Sequence, residues 1–219
     1  MASQREFLVC GLGRFGGALA RELIELGHEV LGLDADAKTV QDHAAVLTHV
    51  AQVDTTDPDA MRQLGAAEFK TAIVAIGTDM EASILTTSLL VDLGIERIVA
   101  KAITAPHGKI LERVGAHRVV FPERDMGVRV AHTVTGRTID YIQLDPGFAL
   151  VETTAPKEVV GKTLAEAEVR RRYGITVVCV KPAGGTFTYA TPDTVVREDD
   201  ILVIAGETRH AERFAELPG

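Results

Sequence analysis

The sequence predicts an α/β fold: a Rossmann-like doubly wound parallel sheet with a second, smaller α+β C-terminal lobe. Two observations predict the sheet. Six short apolar runs alternate with helical patterns before Gly136, and a glycine cluster at residues 11–17 follows the first run and opens a helix. A third observation predicts the lobe, because after Gly136 the chain changes to β-rich runs separated by turn residues. Strands that alternate with helices imply right-handed crossovers and therefore a parallel sheet.

The predicted strands of the first part are short apolar runs bounded by turn residues. They lie at residues 7–10, 29–33, 48–53, 71–76, 97–102 and 117–121. The helices between them carry start and stop residues, such as Pro58 in a first turn and Gly27 and Gly94 just past an end. They are predicted at residues 18–26, 37–45, 58–64, 80–93, 106–114 and 123–135. Six strands with intervening helices are the inventory of a nucleotide-binding domain.

The second part is β-dominated. Residues 136–140 are predicted to form a polar hinge, which places the two domains at residues 1–136 and 137–219. Strands are predicted at residues 141–144, 149–153, 176–181, 187–190 and 201–205, and helices at residues 164–172 and 208–217. A unit of this size is small for an independent core, so we expect it to pack on its own copy.

The charge balance excludes several functions. The chain has 23 Lys and Arg against 31 Asp and Glu, a net charge of −8. Nucleic-acid and anionic-membrane binding both need clustered basic residues, so neither partner is expected. No run of 18 apolar residues is present, and residues 1–7 do not have the pattern of a secretory signal. With two cysteines, Cys10 and Cys179, that are both expected to be buried and free, these features predict a cytoplasmic protein.

The strongest motif is the GxGxxG string of Gly11, Gly13 and Gly16, which follows a strand, opens a helix and precedes Asp34 at the end of the second strand. Gly11 permits a sharp turn, Gly13 permits close approach of phosphate oxygens, and Gly16 permits close packing of helix on sheet. The helix N-terminus attracts anions. Asp34 is suited to ribose hydroxyls and would repel the 2′-phosphate of NADP.

Further polar residues follow the third and fourth strands, at the same edge of the sheet, where ligands of open α/β sheets bind. Asp54 and Thr55 are candidates for contact with an adenosine, and Gly77, Thr78 and Asp79 for a border of the phosphate site. Helix capping is the alternative for Thr78, as it is for two acids that also precede helical runs, Asp57 and Asp79.

Two cations lie near this edge. Arg14, inside the glycine loop, can reach a terminal phosphate or a partner subunit, or can remain solvated beside the loop. Lys101 ends the fifth strand among apolar residues, so it needs a charge partner, either a ligand or a structural carboxylate. The histidines have no metal-site spacing, and no G-x-S-x-G, H-E-x-x-H or Tyr-x-x-x-Lys pattern is present in the sequence. We therefore expect a protein that is not an enzyme.

Several runs together resemble the RCK (KTN) domain family. They are GLGRFGG at residues 11–17, GHEVL at 27–31, VAIG at 74–77 with Ser83 and LTT at 85–87, VAKA at 99–102, PERDMG at 122–127, RYG at 172–174 and EDDIL at 198–202. The resemblance covers essentially the whole chain and is strongest to KtrA-type regulatory subunits of bacterial potassium transporters, within the TrkA family. The PERDMG segment is far more specific than the glycine loop.

The resemblance implies a cytosolic gating ring, an octamer built from homodimers, docked on a separate membrane potassium-transporter subunit. It implies ATP or ADP at the N-terminal site, with Phe15 in the loop, Arg14 reaching the γ-phosphate across the dimer and Glu123 near that phosphate, where a cation can bridge. It also implies a second ligand, cyclic di-AMP, at the C-terminal lobe of some relatives. The matching positions are Leu164, Ala165, Arg170 and Pro192; Ala165 is smaller than the usual branched residue, and the three arginines 170–172 also suit a solvated helix end.

Three hypotheses remain open from the sequence. The first is this ligand-controlled regulatory subunit. The second is an NAD(H)-dependent oxidoreductase or redox sensor, because Asp34 and the glycine loop fit NAD equally well. The third is an assembly protein with a vestigial site.

Overall fold

The computed structural model describes residues 5–134 and 136–219. Residues 1–4, at the N-terminus where no secretory signal is predicted, and Thr135, at the end of a predicted helix, lie outside the described residues. The chain divides into two compact units, Met1–Glu123 and Arg124–Gly219. The sequence predicts a domain boundary near Gly136, whereas the structural division falls in the first turn of a helix, Pro122–Val134.

The first unit is a six-stranded parallel sheet of order β3-β2-β1-β4-β5-β6. This is the order of a doubly wound nucleotide-binding fold. Its strands are β1 (Glu6–Cys10), β2 (Glu29–Asp34), β3 (His49–Gln52), β4 (Thr71–Val74), β5 (Arg97–Lys101) and β6 (Arg118–Val120). Its helices are α1 (Arg14–Glu25), α2 (Ala37–His43), α3 (Pro58–Gln63), α4 (Met80–Asp92) and α5 (Ala105–Arg113), with a 3-10 turn at Ala66–Glu68. Helix α6 (Pro122–Val134) follows.

The sheet of this unit is covered on both faces. Successive residues of β1 enter different apolar clusters, Leu8 and Cys10 in one and Val9 in the other. All three are fully buried. A strand buried on both faces reads as a continuous apolar run, which is why the sequence indicates this sheet without an alternating pattern. Burial raises the pKa of the Cys10 thiol to about 12, so it is an inert core residue.

Helix α1 packs so closely against the sheet that Gly16 leaves no room for a side chain. A Cβ built on Gly16 would stand 1.9 Å from the carbonyl oxygen of Gly11 and 2.8 Å from the Cβ of Ala75. Gly11 itself has φ of +93°, which favours glycine. The two glycines therefore fix where α1 begins, and α1 starts at Arg14 rather than at the predicted Ala18.

The second unit contains an antiparallel sheet of order β10-β9-β11-β8-β7. Its elements are β7 (Thr138–Asp145), β8 (Phe148–Thr154), α7 (Leu164–Ala167), α8 (Val169–Tyr173), β9 (Ile175–Lys181), β10 (Thr188–Tyr189), β11 (Ile201–Glu207) and α9 (Thr208–Ala215). Its core includes Val151, Ile175, Leu202, Ile204 and Phe214.

Three details of this unit differ from the sequence expectations. Strand β7 begins inside the predicted hinge, because Thr138 and Asp140 already pair with β8. The helix predicted at residues 164–172 is interrupted at Glu168, which has φ of +46°. Cys179 is free but half-buried, whereas the sequence predicts a buried thiol.

A matched pair of glycine variants tests the close approach of α1. Gly16→Ala should destabilise the first unit by at least about 2 kcal/mol, since overpacking against a backbone carbonyl cannot be relieved by a side-chain movement. Gly13→Ala should cost below about 1 kcal/mol, because a Cβ there meets nothing within 4 Å. Urea unfolding followed by circular dichroism measures both. Equal losses for the two variants would contradict the packing argument.

Candidate functional site

The glycine loop presents an uncapped helix N-terminus. Gly13 is the N-cap of α1 and provides no side-chain hydrogen bond, and the first turn of α1 carries no acidic residue. The amide of Gly11 donates to Leu33 O at 2.7 Å, which holds the loop on the end of β2. The first amides of a twelve-residue helix are thus left for an anion, and the helix dipole has the matching sign. This is the geometry of a phosphate site.

Asp34 fastens the loop from the neighbouring strand. Its Oδ2 accepts from the Leu12 amide at 2.7 Å, and its Oδ1 accepts from the Asp36 amide at 2.9 Å. Each carboxylate oxygen can accept a second hydrogen bond, so the residue can position the loop and still bind a ribose hydroxyl.

Asp54 and Thr55 stand in different surroundings beyond β3. Asp54 is exposed, and its Oδ1 accepts from the Thr56 amide at 2.9 Å and from the Thr56 hydroxyl at 2.7 Å. These bonds lower the pKa of the Asp54 carboxyl. Thr55 is buried, with its hydroxyl 2.8 Å from that of Thr86. Its side chain therefore joins α4 to the loop after β3, and only its backbone is left for contact with a ligand.

In the loop after β4, one polar residue caps a helix and another is exposed to solvent. Asp79 caps α4 through the Ala82 amide at 2.9 Å, and Asp57 caps α3 in the same way. Thr78 is exposed and is not the cap. Gly77 lies beside Lys101, because a Cβ on Gly77 would stand 2.9 Å from Lys101 Nζ.

Lys101 forms an ion pair with Glu123. Its Nζ donates to Glu123 Oε1 at 2.6 Å; the lysine side chain is 10% exposed and the glutamate side chain 61%. The hydrogen bond from Lys101 lowers the pKa of the Glu123 carboxyl, and the positive charge of Arg14 contributes a smaller part. The sequence predicts a charge partner for Lys101, and in the structure that partner is the carboxylate of Glu123, the second residue of α6.

Phe15 connects this ion pair to the glycine loop. Lys101 Nζ lies 5.8 Å from the centroid of the Phe15 ring, and Phe15 is in the first turn of α1. Arg14 beside it is exposed. Five of the candidate site residues thus lie together: Arg14, Phe15, Gly77, Lys101 and Glu123.

The described residues contain no group of three His, Cys, Asp or Glu side chains arranged to hold a metal ion. A cation at Glu123 would have one protein carboxylate and would need its other ligands from phosphates and water. That donor set suits Mg²⁺, which is commonly bound by one or two carboxylates together with substrate phosphates.

One feature of the loop was missed by sequence reasoning. A cleft of about 330 Å³ between α1 and α2 is lined by Arg14, Gly17, Arg21 and His43, among others. His43 is buried, its Nδ1 lies 2.8 Å from Thr39 O, and a Cβ on Gly17 would stand 2.3 Å from its Nε2. The glycine following the GxGxxG string was the available signal that a side chain lies against α1 here.

Three of the four second-ligand positions meet in the C-terminal lobe. The amides of Leu164 and Ala165 each donate at 2.9 Å, to Thr194 O and Pro192 O respectively. Arg170 is exposed and its Nε donates to the Thr176 hydroxyl at 3.2 Å.

The other two arginines of that run have carboxylate partners. Arg171 pairs with Glu168 at 2.6 Å, and Arg172 pairs with Glu158 at 3.0 Å. The side chains of Arg171 and Arg172 nevertheless stay 79% and 42% exposed, and all three arginines lie in the last turn of α8. The interpretation of a solvated helix end therefore fits this run.

Comparison with known proteins assigns the family. Residues 7–122 match the TrkA-N domain and residues 148–219 match the TrkA-C domain. The chain belongs to the TrkA family. This member is 38% identical, over 96% of the chain, to the Ktr system potassium uptake proteins C and A of Bacillus subtilis, of which it covers 96% and 95%. The RCK and KtrA-like resemblance is confirmed.

Solved structures confirm the fold of this TrkA-family chain. The GsuK RCK domain aligns with a TM-score of 0.68 at 19% identity, over all of this chain and 49% of that one. A GsuK channel bound to NAD aligns with a TM-score of 0.67 at 19% identity, over all of this chain and 40% of that one. Among the described residues of this TrkA-family member, no helix is long and apolar enough to cross a membrane.

A titration tests the Lys101–Glu123 ion pair. Lys101→Met should raise the Glu123 pKa toward its ordinary value of 4.5, because the hydrogen bond that lowers it is removed. A depressed carboxyl pKa contributes stability above its unfolded-state value, and this contribution is lost as the pH falls through the folded-state value. In Lys101→Met, the free energy of unfolding should therefore fall less as the pH is lowered. Side-chain carbon NMR measures the pKa, with the exposed Lys109→Met as the control. An unchanged Glu123 pKa in Lys101→Met would contradict the ion pair.

Proposed function

We propose that this protein is a cytosolic, nucleotide-sensing regulatory subunit of a bacterial potassium uptake system. The observation that carries the proposal is the uncapped N-terminus of α1 between Asp34 on one side and the cations Arg14 and Lys101 on the other. Such an arrangement suits a ribose joined to a chain of phosphates. The relatives named Ktr system potassium uptake proteins A and C support potassium transport as the process.

The proposed ligands are ATP and ADP. Gly13, Phe15 and Gly16 would bind the phosphates through their backbone amides, and Gly11, whose amide donates to Leu33 O, would form the turn that places them. The ribose would bind Asp34, the adenosine would lie by Asp54 and Thr55, and Gly77 and Thr78 would border the phosphates. ATP adds one charged phosphate to ADP, so only residues at the end of the phosphate chain can distinguish the two.

Arg14 is the proposed contact to the γ-phosphate, across a dimer, and Glu123 the proposed ligand of a cation on that phosphate. A nucleotide can shift the protein between shapes only by its different affinity for them. Binding is then the whole of the task, and no catalytic group is required.

The proposed assembly is a homodimer that builds an octameric ring on an integral membrane potassium-transporter subunit, which would hold the protein at the inner face of the membrane. Helix α6 supports self-association: none of its described residues is buried, and Met126, Val130 and Val134 are exposed at helical spacing along one stripe.

A second ligand, cyclic di-AMP, is proposed for the C-terminal lobe. The support is the juxtaposition of Ala165 with Pro192 and the exposed guanidinium of Arg170. Titration of the unmodified protein and of Arg170→Ala with cyclic di-AMP tests this part separately from the N-terminal site. The unmodified protein should bind cyclic di-AMP, and Arg170→Ala should lose binding.

An NAD(H)-binding redox sensor or NAD-dependent oxidoreductase is the alternative. The observation in its favour is Asp34, which suits the ribose of NAD as well as that of ATP. A protein of the same fold, the GsuK channel, has been solved bound to NAD.

Parallel calorimetric titration of the nucleotide-free protein with ATP, ADP, NADH and NAD⁺ tests the proposal. We expect ATP and ADP to bind much more tightly than either form of NAD. Preferential NADH binding would support the NAD(H)-dependent alternative. Failure to bind any of the four would support an assembly protein with a vestigial site.

The proposed role of Arg14 makes a specific prediction. Arg14→Ala should weaken ATP binding about tenfold or more and ADP binding much less, since a hydrogen bond to a charged group contributes about 1.5–3 kcal/mol. Arg113→Ala is the control, because Arg113 is also an exposed helical arginine and lies at the end of α5. Equal losses for ATP and ADP in Arg14→Ala would contradict a γ-phosphate contact.

A further inference from the structure

The two residues of the Lys101–Glu123 ion pair differ in how far they are buried. Lys101 is almost fully enclosed, with Phe15 and Gly77 beside its amine, so the ammonium group requires an anion. Glu123 is more than half exposed, and water can solvate its carboxylate. Only the lysine depends on the pair, and any suitably placed anion can serve it.

The position of Lys101 makes a phosphate a suitable substitute anion. Its amine lies 5.8 Å from the ring centroid of Phe15, a residue of the first turn of α1. The amides of that turn have no side-chain cap and are suited to the inner phosphates. If the inner phosphates bind at these amides, the third phosphate of a triphosphate would extend the chain toward Lys101, and a diphosphate would lack that group.

We infer that Lys101 exchanges its partner Glu123 for the terminal phosphate of a bound nucleoside triphosphate, so that Lys101 acts beside Arg14 in distinguishing a triphosphate from a diphosphate. The inference rests on the proposed function and adds a discriminating residue to it. The exchange releases Glu123, the second residue of α6, and so changes what holds the first turn of that helix. The released carboxylate is then free to bind a cation.

The exchange makes opposite predictions for the two members of the pair. Lys101→Met should weaken ATP binding about tenfold or more, since the charge-assisted bond to the phosphate is lost. Glu123→Gln should strengthen ATP binding severalfold, because the competing carboxylate is removed while an amide oxygen remains for the lysine. ADP affinity should change less than about twofold in both variants.

Calorimetric titration of the full chain with ATP and ADP, with a chelator present to remove divalent cations, measures these affinities. Lys109→Met is the matched control, because it removes one exposed lysine charge from the next helix. Methionine fills the volume of the lysine stem and leaves Glu123 solvated, so Lys101→Met should fold, which thermal unfolding checks.

Each outcome decides between the alternatives. Opposite shifts in ATP affinity, with ADP unchanged, support the exchange. Equal shifts for ATP and ADP, or a loss of ATP affinity in both variants, would overturn it and leave a purely structural ion pair. Failure of the unmodified protein to bind either nucleotide would overturn the proposed function itself, which is a separate result.

Discussion

The close approach of α1 to the sheet at Gly11 and Gly16 is the constraint on which the site depends. Gly16 lies so close to the Gly11 carbonyl that no side chain would fit between them. Because glycine has no side chain, α1 can start immediately after the loop. Its amides then face the carboxyl edge of β1, where ligands of such sheets bind. Phe15 follows from the same register, since the first turn of α1 is what brings its ring to Lys101.

Helix α6 makes ion pairs and a ring-stacking contact along its length. In its first turn, Glu123 pairs with Lys101 of β5. Further along, Arg129 Nε donates to Asp140 of β7 at 2.6 Å, which lowers the Asp140 pKa. His132 stacks on Tyr141 at 3.8 Å. The contacts of Arg129 and His132 involve neither Lys101 nor Glu123, so an exchange of partners at Lys101 leaves them in place.

The sequence predicted the features that depend on neighbours along the chain. Six strands, their helices, the glycine loop and the opposing Asp34 all follow from local pattern and turn chemistry. It did not predict features in which distant residues meet. Lys101 meets Glu123 across 22 positions and Thr55 meets Thr86 across 31, and no periodicity encodes either contact. The interruption at Glu168 was also missed, because nothing in a glutamate indicates a left-handed conformation.

Hydrogen–deuterium exchange of the full chain, compared between its nucleotide-free, ADP-bound and ATP-bound states, tests the central claim most directly. The account predicts that both nucleotides slow exchange at residues 11–18, and that ATP alone changes exchange at residues 123–127, where Glu123 is released. Identical exchange at residues 123–127 with saturating ATP and ADP would contradict it, because the γ-phosphate would then be bound without being sensed by α6.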